Sequence, residues 1–149
     1  MSTTSYPQLR LDAQLCFPLY AASRAVTKEY AALLEGTGLT YPQYLVMLVL
    51  WEQEEPPSVG ELGERLRLDS GTLTPLLKRL ETAALVARGR DPEDERRVLV
   101  SLTDAGWALR GRVADVPLRL QAAMRLSLPE ALALRDRLTA LIENLDAPN

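Results

Sequence analysis

Cys16 is the single cysteine of this 149-residue chain and carries its most nucleophilic side chain. A thiolate is the reactive form, and it needs hydrogen-bond donors or a helix N-terminus to form near neutral pH. Attack on a peroxide oxygen gives a sulfenic acid, which must then condense with an external thiol or a backbone nitrogen, because no second cysteine is present. The alternative interpretation is a small apolar side chain packed in a core, the usual environment of a free cysteine.

Histidine is absent from the sequence. Its absence removes an imidazole general base, Ser–His and Cys–His pairs, and zinc sites with the usual nitrogen and sulfur ligands. No phosphate-binding glycine loop and no dinucleotide fingerprint is found either. We therefore expect a protein that is not an enzyme and holds no cofactor or metal. Tyrosine hydroxyls are the donors that remain for a thiolate.

The composition is that of a globular protein, with 47% hydrophobic and 25% charged residues. The longest apolar run, Tyr44–Trp51, is too short to cross a bilayer. Residues 1–6 lack the basic and apolar segments of a secretory signal. A lone cysteine also suits a reducing compartment. We expect a cytoplasmic protein that makes no contact with membranes.

The net charge of −3 does not favour a nucleic-acid partner, but the distribution of charge does. Basic side chains are concentrated in residues 65–101, where Arg88, Arg90, Arg96 and Arg97 are close in sequence. Affinity for DNA depends on local phosphate contacts rather than on the charge of the whole chain. The charge pattern is therefore compatible with DNA binding.

Most of the chain is predicted to be helical. Apolar residues recur at helical spacing from Leu11 to Leu33, and Pro18 within this pattern indicates either a kink or a helix that begins near Cys16. Ser or Thr followed three residues later by Gln or Glu is the signature of a helix start. Such capping boxes begin at Thr40, Ser58 and Ser127.

A helix, a tight turn and a second helix follow Ser58. The turn at 69–71 precedes a helix predicted from Thr72 to about Thr82, with Pro75 in its first turn. This arrangement presents the second helix to a DNA major groove. Its leucines form the inner face, and the outer face is either solvated or contacts DNA. The candidate DNA contacts on that face are Ser70, Thr72, Thr74, Lys78 and Arg79.

After Ala84 the pattern changes from helix to strand. Residues 85–88 and 98–102 are β-prone, and the charged segment 89–96 between them predicts the tip of a hairpin. A helix-turn-helix followed by a charged hairpin indicates a winged helix, which we place at residues 40–102. A long helix is predicted to start at Thr103, with a kink at Pro117.

The helices that flank the winged helix have apolar stripes broader than so small a domain can cover. We expect residues 9–39 and 103–146 to form a dimerisation region that packs against a second copy of the chain. A two-fold homodimer suits a pseudopalindromic operator in double-stranded DNA. The predicted fold class is thus mainly α with a small β-hairpin wing.

The chain, residues 1–149, resembles over its whole length the MarR family of dimeric winged-helix regulators. The segments similar to the helix-turn-helix and wing of that family are Val59–Leu66, Asp69–Glu81 and Asp91–Thr103. The resemblance implies a DNA-binding repressor in which Arg90 and Arg96 of the wing reach DNA. Arg96 would enter the minor groove and Asp94 would orient it; the alternative is a solvated charged turn.

Residues 9–20 resemble, more narrowly, the organic hydroperoxide sensors of that family, whose peroxide-reactive cysteine lies in the first helix beside tyrosines. Cys16 occupies the cysteine position. Tyr20, Tyr30 and Tyr41 match the tyrosines that hydrogen-bond the sulfur, the latter two usually from the partner subunit. The resemblance is to the one-cysteine type. It implies that an organic hydroperoxide and a low-molecular-weight thiol act as signals that break an intersubunit network and release DNA.

Three other functions remain open at this stage. A regulator of the same fold could bind a small aromatic ligand and release DNA whatever the state of Cys16. A thiol peroxidase is disfavoured because no basic residue is near Cys16 in sequence, although Arg10 or Arg24 could lie close in space. A winged helix used only for protein association is disfavoured by the arginine-rich wing.

Overall fold

The computed structural model describes residues 5–148. Residues 1–4, on which the prediction of no secretory signal partly rests, and Asn149 lie outside the described residues. Two 3₁₀ turns, Pro7–Leu9 and Leu11–Ala13, precede the helices. The further elements in chain order are α1 Cys16–Leu33, α2 Tyr41–Glu52, α3 Val59–Leu66, α4 Ser70–Thr82, β1 Val86–Arg90, β2 Val98–Leu102, α5 Asp104–Arg112, α6 Val116–Met124 and α7 Leu128–Asp146.

The predicted fold class, mainly helical with one small hairpin, is confirmed. The chain forms two compact units, the first extending to Ala114 and the second starting at Asp115. None of the helices within residues 5–148 combines the length and the apolar character needed to span a membrane.

Helix α1 begins at Cys16, so Pro18 lies in its first turn, where the missing N–H removes no helical hydrogen bond. The helix ends at Leu33, and Gly36 and Gly38 then turn the chain with φ values of 80° and 78°, a conformation that favours glycine. None of the residues of α1, all of which are described, is buried.

The three predicted capping boxes are confirmed and start α2, α3 and α7. At α3, the Glu61 amide donates to the Ser58 hydroxyl at 3.1 Å and the Ser58 amide donates to the Glu61 carboxylate at 2.7 Å. In each box, two residues three positions apart accept each other's backbone amides, so two N–H groups at the helix start are satisfied. For this reason local sequence alone predicts these starts.

The turn between α3 and α4 is tight. The residue after α3, Arg67, has a left-handed conformation with φ 56°, and a Cβ on Gly63 would lie 2.8 Å from the Leu68 carbonyl oxygen. A glycine at position 63 therefore allows the chain to reverse closely enough for α4 to follow at once.

Helix α4 starts at Ser70, two residues earlier than predicted, because the Asp69 carboxylate accepts a hydrogen bond from the Thr72 amide at 2.8 Å and caps the helix there. Pro75 is consequently the sixth helical residue, and its expected position in the first turn is wrong. Since proline has no N–H, the Gly71 carbonyl lacks its usual helical partner.

The core of the first unit lies around α2, of whose twelve residues seven are buried. Helices α3 and α4 and the hairpin contribute the leucines and valines that face it. The fully buried side chains include Val46, Met47, Leu62, Leu73, Leu77, Leu80, Val86 and Val100. Burying this apolar surface is the main stabilising contribution.

Strands β1 and β2 pair antiparallel, with Val86 opposite Leu102 and Arg90 opposite Val98. The first strand is longer than predicted because Gly89 and Arg90 continue the ladder, and the connecting tip is residues 91–97. The hairpin also joins the start of α3, because the Val100 amide donates to the Pro57 carbonyl at 2.9 Å.

The long helix predicted after Thr103 is interrupted rather than kinked. Helix α5 ends at Arg112 and α6 begins at Val116, which puts Pro117 in the first turn of a new helix. The expectation of a continuous helix with a kink at Pro117 is therefore wrong. A proline at that position cannot donate to the Val113 carbonyl, and it favours a helix start instead.

Helix α7 of the second unit is amphipathic, and none of its residues from Leu128 to Asp146 is buried in the single chain. The large apolar side chains that it exposes are Leu128, Leu132, Leu134, Ile142 and Leu145. An apolar surface of this extent usually marks a protein interface.

Gly106 offers a test of the packing of α5. Its carbonyl accepts a hydrogen bond from the indole Nε1 of Trp51 at 3.0 Å, and a Cβ on Gly106 would collide with the Leu85 carbonyl oxygen. We expect Gly106→Ala to lower the free energy of unfolding by about 1–3 kcal/mol. Urea denaturation of the two proteins measures this difference.

Gly111 is the matched control on the same helix, because a Cβ there would meet nothing within 4 Å. Gly111→Ala should leave stability unchanged or raise it by up to about 1 kcal/mol, since alanine favours helix over glycine. Equal effects of the two substitutions would contradict the packing assigned to Gly106.

Candidate redox site and nucleic-acid interface

Cys16 is the first residue of α1 and is exposed. The backbone amides of the first turn have no acceptor within the helix, as in any α-helix. The preceding residue, Leu15, provides no side-chain cap for them either. Within residues 5–148, no hydrogen bond to the thiol is present. The sulfur is thus open to a reagent from solvent and lies at the helix end that attracts negative charge.

Tyr20 lies one helical turn after Cys16, on the same face of α1. Its ring is 61% exposed, and the guanidinium carbon of Arg24, another turn along, lies 5.7 Å from the ring centre. This distance is within the range of a cation–π interaction. Of the three predicted tyrosines, Tyr20 is the one that the single chain brings close to Cys16.

Tyr30 lies fourteen residues after Cys16 on the same helix, about 21 Å away at 1.5 Å per residue. Its ring stacks on that of Tyr41 with centres 4.0 Å apart and an angle of 10°. The single chain therefore brings Tyr30 and Tyr41 together but leaves both remote from its own Cys16. The resemblance implied this separation, because it assigns these two tyrosines to the partner's cysteine.

Tyr44 was not among the predicted site residues. Its side chain is 2% exposed, and its ring centre lies 5.6 Å from that of Tyr30. A local signal existed, because Tyr44 follows Tyr41 by three residues and so shares its face of α2. Together, Tyr30, Tyr41 and Tyr44 form the tyrosine cluster, which joins the end of α1 to the start of α2.

Burial governs the ionisation of the tyrosine cluster. It raises the pKa of Tyr30 to about 12, with smaller contributions from the nearby Tyr41 and Tyr44. Burial likewise raises the pKa of Tyr41 and of Tyr44. All three hydroxyls thus stay protonated at physiological pH and can donate a hydrogen bond.

The outer face of α4 carries the hydroxyl and basic side chains predicted to contact DNA. Ser70, Thr74 and Lys78 recur every four residues along one edge of the exposed face, while Thr72 and Arg79, seven residues apart, lie along its other edge. All five are exposed, whereas the leucines of the helix are buried. The helix is thus held by its inner face and free on the outer one.

The wing tip orders its own arginines. Arg90 donates from Nη1 to the Glu95 carbonyl at 2.6 Å. The side chain of Arg96 is 92% exposed, and its Nε lies 3.2 Å from an Asp94 carboxylate oxygen that also accepts the Arg96 amide at 3.1 Å. Asp94 thus contacts Arg96 without withdrawing it from solvent.

Two further arginines of the hairpin make ion pairs that sequence reasoning missed. Arg88 pairs with Glu81 of α4 at 3.3 Å, and Arg97 pairs with Asp91 at 3.1 Å and with Glu61 of α3 at 3.2 Å. No local pattern indicates partners as distant in sequence as Glu61.

Between α4 and the wing lies a cleft of about 390 Å³. Its lining includes Thr74, Arg88 and Arg96. Hydroxyl and guanidinium groups are the side chains that bind a phosphate backbone. Within the described residues, by contrast, no group of three or more His, Cys, Asp or Glu is arranged to hold a metal ion.

Comparisons with known proteins agree with this geometry. The profile of the family described as transcriptional regulator SarA/Rot matches residues 28–109. The organic hydroperoxide resistance transcriptional regulator of Bacillus subtilis is 45% identical over 144 residues, 97% of each chain. The HTH-type transcriptional regulator TtmR of Methylorubrum extorquens is 52% identical over 137 residues, 92% of this chain and 70% of TtmR.

Among solved structures, the chain is similar to AbfR of Staphylococcus epidermidis. Reduced AbfR bound to DNA matches with a TM-score of 0.77 and 37% identity, over 94% of this chain and 97% of AbfR. The disulfide-formed state of AbfR matches less well, with a TM-score of 0.63.

The raised pKa of Tyr30 predicts a late ionisation that can be measured. The neutral phenol is stabilised in the folded protein, so this contribution to stability is complete below pH 10 and is lost as the pH rises through about 12. In an ultraviolet titration of tyrosinate, we expect Tyr30→Phe to remove the ionisation with the highest midpoint.

Tyr6→Phe serves as the control, because Tyr6 is 56% exposed and lies outside the tyrosine cluster. It should lower the total absorbance change but leave the late ionisation in place. Loss of the late ionisation in Tyr6→Phe, or its persistence in Tyr30→Phe, would contradict the environment assigned to Tyr30.

Proposed function

Because the chain belongs to the MarR family of winged-helix transcriptional regulators, we propose that it is a cytoplasmic homodimeric repressor controlled by organic hydroperoxides. In this proposal the reduced dimer binds a pseudopalindromic operator and releases it after Cys16 is oxidised. The observation that carries the proposal is the exposed Cys16 at the start of α1, one turn from Tyr20. The name of the Bacillus subtilis relative supports the class of signal.

The proposed chemistry at Cys16 has two steps. The Cys16 thiolate attacks one peroxide oxygen, so that an S–O bond forms and the O–O bond breaks. With one proton taken up from water, the products are Cys16 sulfenic acid and an alcohol. A low-molecular-weight thiol then attacks the sulfenic sulfur, which forms a mixed disulfide and releases water. The external thiol is needed because the chain offers no second cysteine.

We propose that the mixed disulfide, rather than an oxygen adduct, is the form that releases DNA. AbfR has been crystallised with DNA in an overoxidized state as well as in the reduced one. In that relative, an overoxidized state is therefore compatible with a DNA complex. A thiol adduct is larger and would displace the tyrosines around the sulfur.

The proposed homodimer rests on the surfaces that the single chain leaves uncovered. Helix α1 has no buried residue and exposes Phe17 and Leu19, and α7 exposes an apolar stripe. Covering such surfaces with a second copy would remove apolar area from water. We assign residues 9–39 and 103–146 to this dimerisation region and residues 40–102 to DNA binding.

The partner subunit would complete the redox site. Tyr30 is about 21 Å along α1 from Cys16 of its own chain, and Tyr41 stacks on Tyr30 with ring centres 4.0 Å apart, so neither hydroxyl can bond that sulfur. Both hydroxyls are nevertheless protonated donors. In a two-fold dimer they can face Cys16 of the other protomer. Three tyrosine donors around one sulfur would then hold the reduced form.

For DNA binding, we propose that α4 enters the major groove and that Arg96 of the wing enters the adjacent minor groove. The exposed residues of α4 would contact phosphates and base edges, and Arg90 would contact the backbone beside the wing. A dimer presents two such units to successive half-sites. Disruption of the tyrosine network would change the spacing of the two α4 helices and abolish joint binding.

The first test is binding of the reduced protein to DNA upstream of its own gene, measured before and after an organic hydroperoxide is added together with a small thiol. We expect the wild type to release the DNA and Cys16→Ser to keep it, because the hydroxyl cannot form a disulfide. Intact mass of the wild type should increase by one thiol adduct. Ser23→Ala, at an exposed position of the same helix that has no role in the proposed site, controls for a substitution in α1.

Other outcomes identify the competing functions. Equal behaviour of the wild type and Cys16→Ser would refute the redox switch and leave a repressor released by a small aromatic ligand. Sustained consumption of peroxide by the wild type would indicate a thiol peroxidase. Failure of the reduced wild type to bind the DNA would indicate a role in protein association.

The dimer is tested separately by sedimentation equilibrium. We expect the wild type to have twice the 16.5 kDa mass of one chain and the double variant Leu132→Glu/Ile142→Glu to sediment as a single chain, because both side chains lie on the exposed apolar stripe of α7. Glu143→Gln controls for a change of charge on the same helix. A double variant that remains dimeric would exclude this stripe from the interface.

A further inference from the structure

We propose that Arg97 is a positioning residue that holds the wing against the start of α3, so that Arg96 and α4 meet DNA in a fixed relation. The inference rests on the proposed DNA binding and adds a determinant of it. Arg97 would act through Asp91 and Glu61 rather than by touching DNA. It is thus distinct from Arg96, its neighbour in sequence.

The guanidinium of Arg97 connects two carboxylates from different elements. Its Nη1 lies 3.1 Å from Asp91 Oδ2 at the base of the wing tip, and its Nη2 lies 3.2 Å from Glu61 Oε1 on α3. A planar fork with donors at fixed angles suits two acceptors at once, which a lysine ammonium does not reproduce. The fork therefore links the hairpin to the helix-turn-helix.

Asp91 is fixed at the wing end of this link. It is 9% exposed, its Oδ1 accepts the Glu93 amide at 2.9 Å, and its own amide donates to the Arg97 carbonyl at 2.9 Å. Both carboxylate oxygens thus have protein donors. A carboxylate buried in this way stays in place because losing either donor would leave one of its oxygens buried and unpaired.

Glu61 is fixed at the helix end. Its Oε2 accepts the Ser58 amide at 2.7 Å in the capping box of α3, while Oε1 accepts from Arg97. These bonds hold the pKa of Glu61 below its usual range, with the Ser58 amide as the largest cause. The Arg97 link thus reaches the backbone at the helix start.

The exposure of the two adjacent arginines separates their roles. The side chain of Arg96 is 92% exposed, whereas that of Arg97 is 43% exposed and directs both Nη atoms at carboxylates. A side chain already engaged by two carboxylates is poorly placed to neutralise a phosphate. It is well placed to fix the backbone from which Arg96 projects.

Asp91→Asn separates a positioning role from a direct phosphate contact by the sign of its effect. Removing a negative charge near DNA strengthens binding through electrostatics alone. If Arg97 acts by position, losing its Asp91 partner weakens binding despite the gain in charge. Glu93→Gln is the matched control. Glu93 lies two residues after Asp91 and its side chain is exposed, so this substitution removes the same charge without breaking the link.

The experiment measures the dissociation constant of the reduced full-length protein for operator DNA over a series of salt concentrations. We expect Asp91→Asn and Arg97→Gln each to weaken binding roughly threefold to thirtyfold. Arg97→Lys should bind as weakly as Arg97→Gln, since charge without the fork does not restore the link. Glu93→Gln should bind as well as the wild type or better.

Two further readouts distinguish position from contact. The double variant Asp91→Asn/Arg97→Gln should bind no more weakly than Arg97→Gln alone, because both changes break one link. The dependence of binding on salt should keep the slope of the wild type. A slope reduced by about 1, or recovery of binding in Arg97→Lys, would overturn the proposal in favour of a phosphate contact.

Folding is controlled by helical circular dichroism and sedimentation of each variant. If Asp91→Asn does not fold, Glu61→Gln tests the other end of the link from an exposed position, with the same expected weakening. Binding by Asp91→Asn or Glu61→Gln as tight as that of the wild type would refute the role of Arg97. Absence of binding by the wild type would instead refute the proposed function.

Discussion

The length of α1 is the constraint on which the site depends. One rigid helix carries Cys16 at its first residue and Tyr30 about 21 Å further on, so the reactive sulfur and the stacked tyrosines of one chain cannot meet. The same helix buries none of its residues in the single chain, although it is long and amphipathic. Both facts support the proposed homodimer, in which a partner surface would cover α1 and bring Tyr30 and Tyr41 of one chain to Cys16 of the other.

The tyrosine cluster provides a route from that surface to the DNA-binding elements. Tyr30 at the end of α1 stacks on Tyr41 at the start of α2, and Tyr44 extends the contact into the core. Helix α2 is the most buried helix of the first unit, and α3, α4 and β2 all pack on it. A shift of Tyr41 therefore acts on the element against which α4 is held. Close packing transmits such a shift because the core has no space to absorb it.

Local chemistry explains how much of the fold could be predicted from sequence. The three capping boxes and the hairpin depend on residues a few positions apart, and sequence analysis predicted all of them. The two errors concern Pro75 and Pro117, because the effect of a proline depends on its distance from the helix start and that start was not known. Asp69 starts α4 earlier and so puts Pro75 inside the helix, and the chain breaks before Pro117 rather than bending at it.

Those residues of the candidate site that match a single position of the family motifs could be predicted from the sequence. Cys16, the outer face of α4 and the contact between Asp94 and Arg96 could all be proposed from sequence. The links made by Arg88 and Arg97 could not, because their partners on other elements become neighbours only after folding. Tyr44 was overlooked because a tyrosine within an apolar run resembles an ordinary core residue, although its spacing from Tyr41 puts both on one face of α2.

The wing carries four acidic residues in the segment 91–95, which at first conflicts with DNA binding, since each carboxylate repels phosphate. The structure resolves the conflict for two of them by the arginines that they hold: Asp94 contacts Arg96, and Asp91 contacts Arg97. An arginine ordered before binding loses less side-chain entropy on meeting DNA than a freely rotating one. Because an exposed ion pair such as that of Asp94 and Arg96 contributes little to stability, the value of this pair lies in geometry rather than in folding energy. In the proposed DNA complex, the acidic residues would lower the attraction of the wing for phosphate in general, while Asp94 and Asp91 would hold Arg96 and Arg97 in a defined geometry.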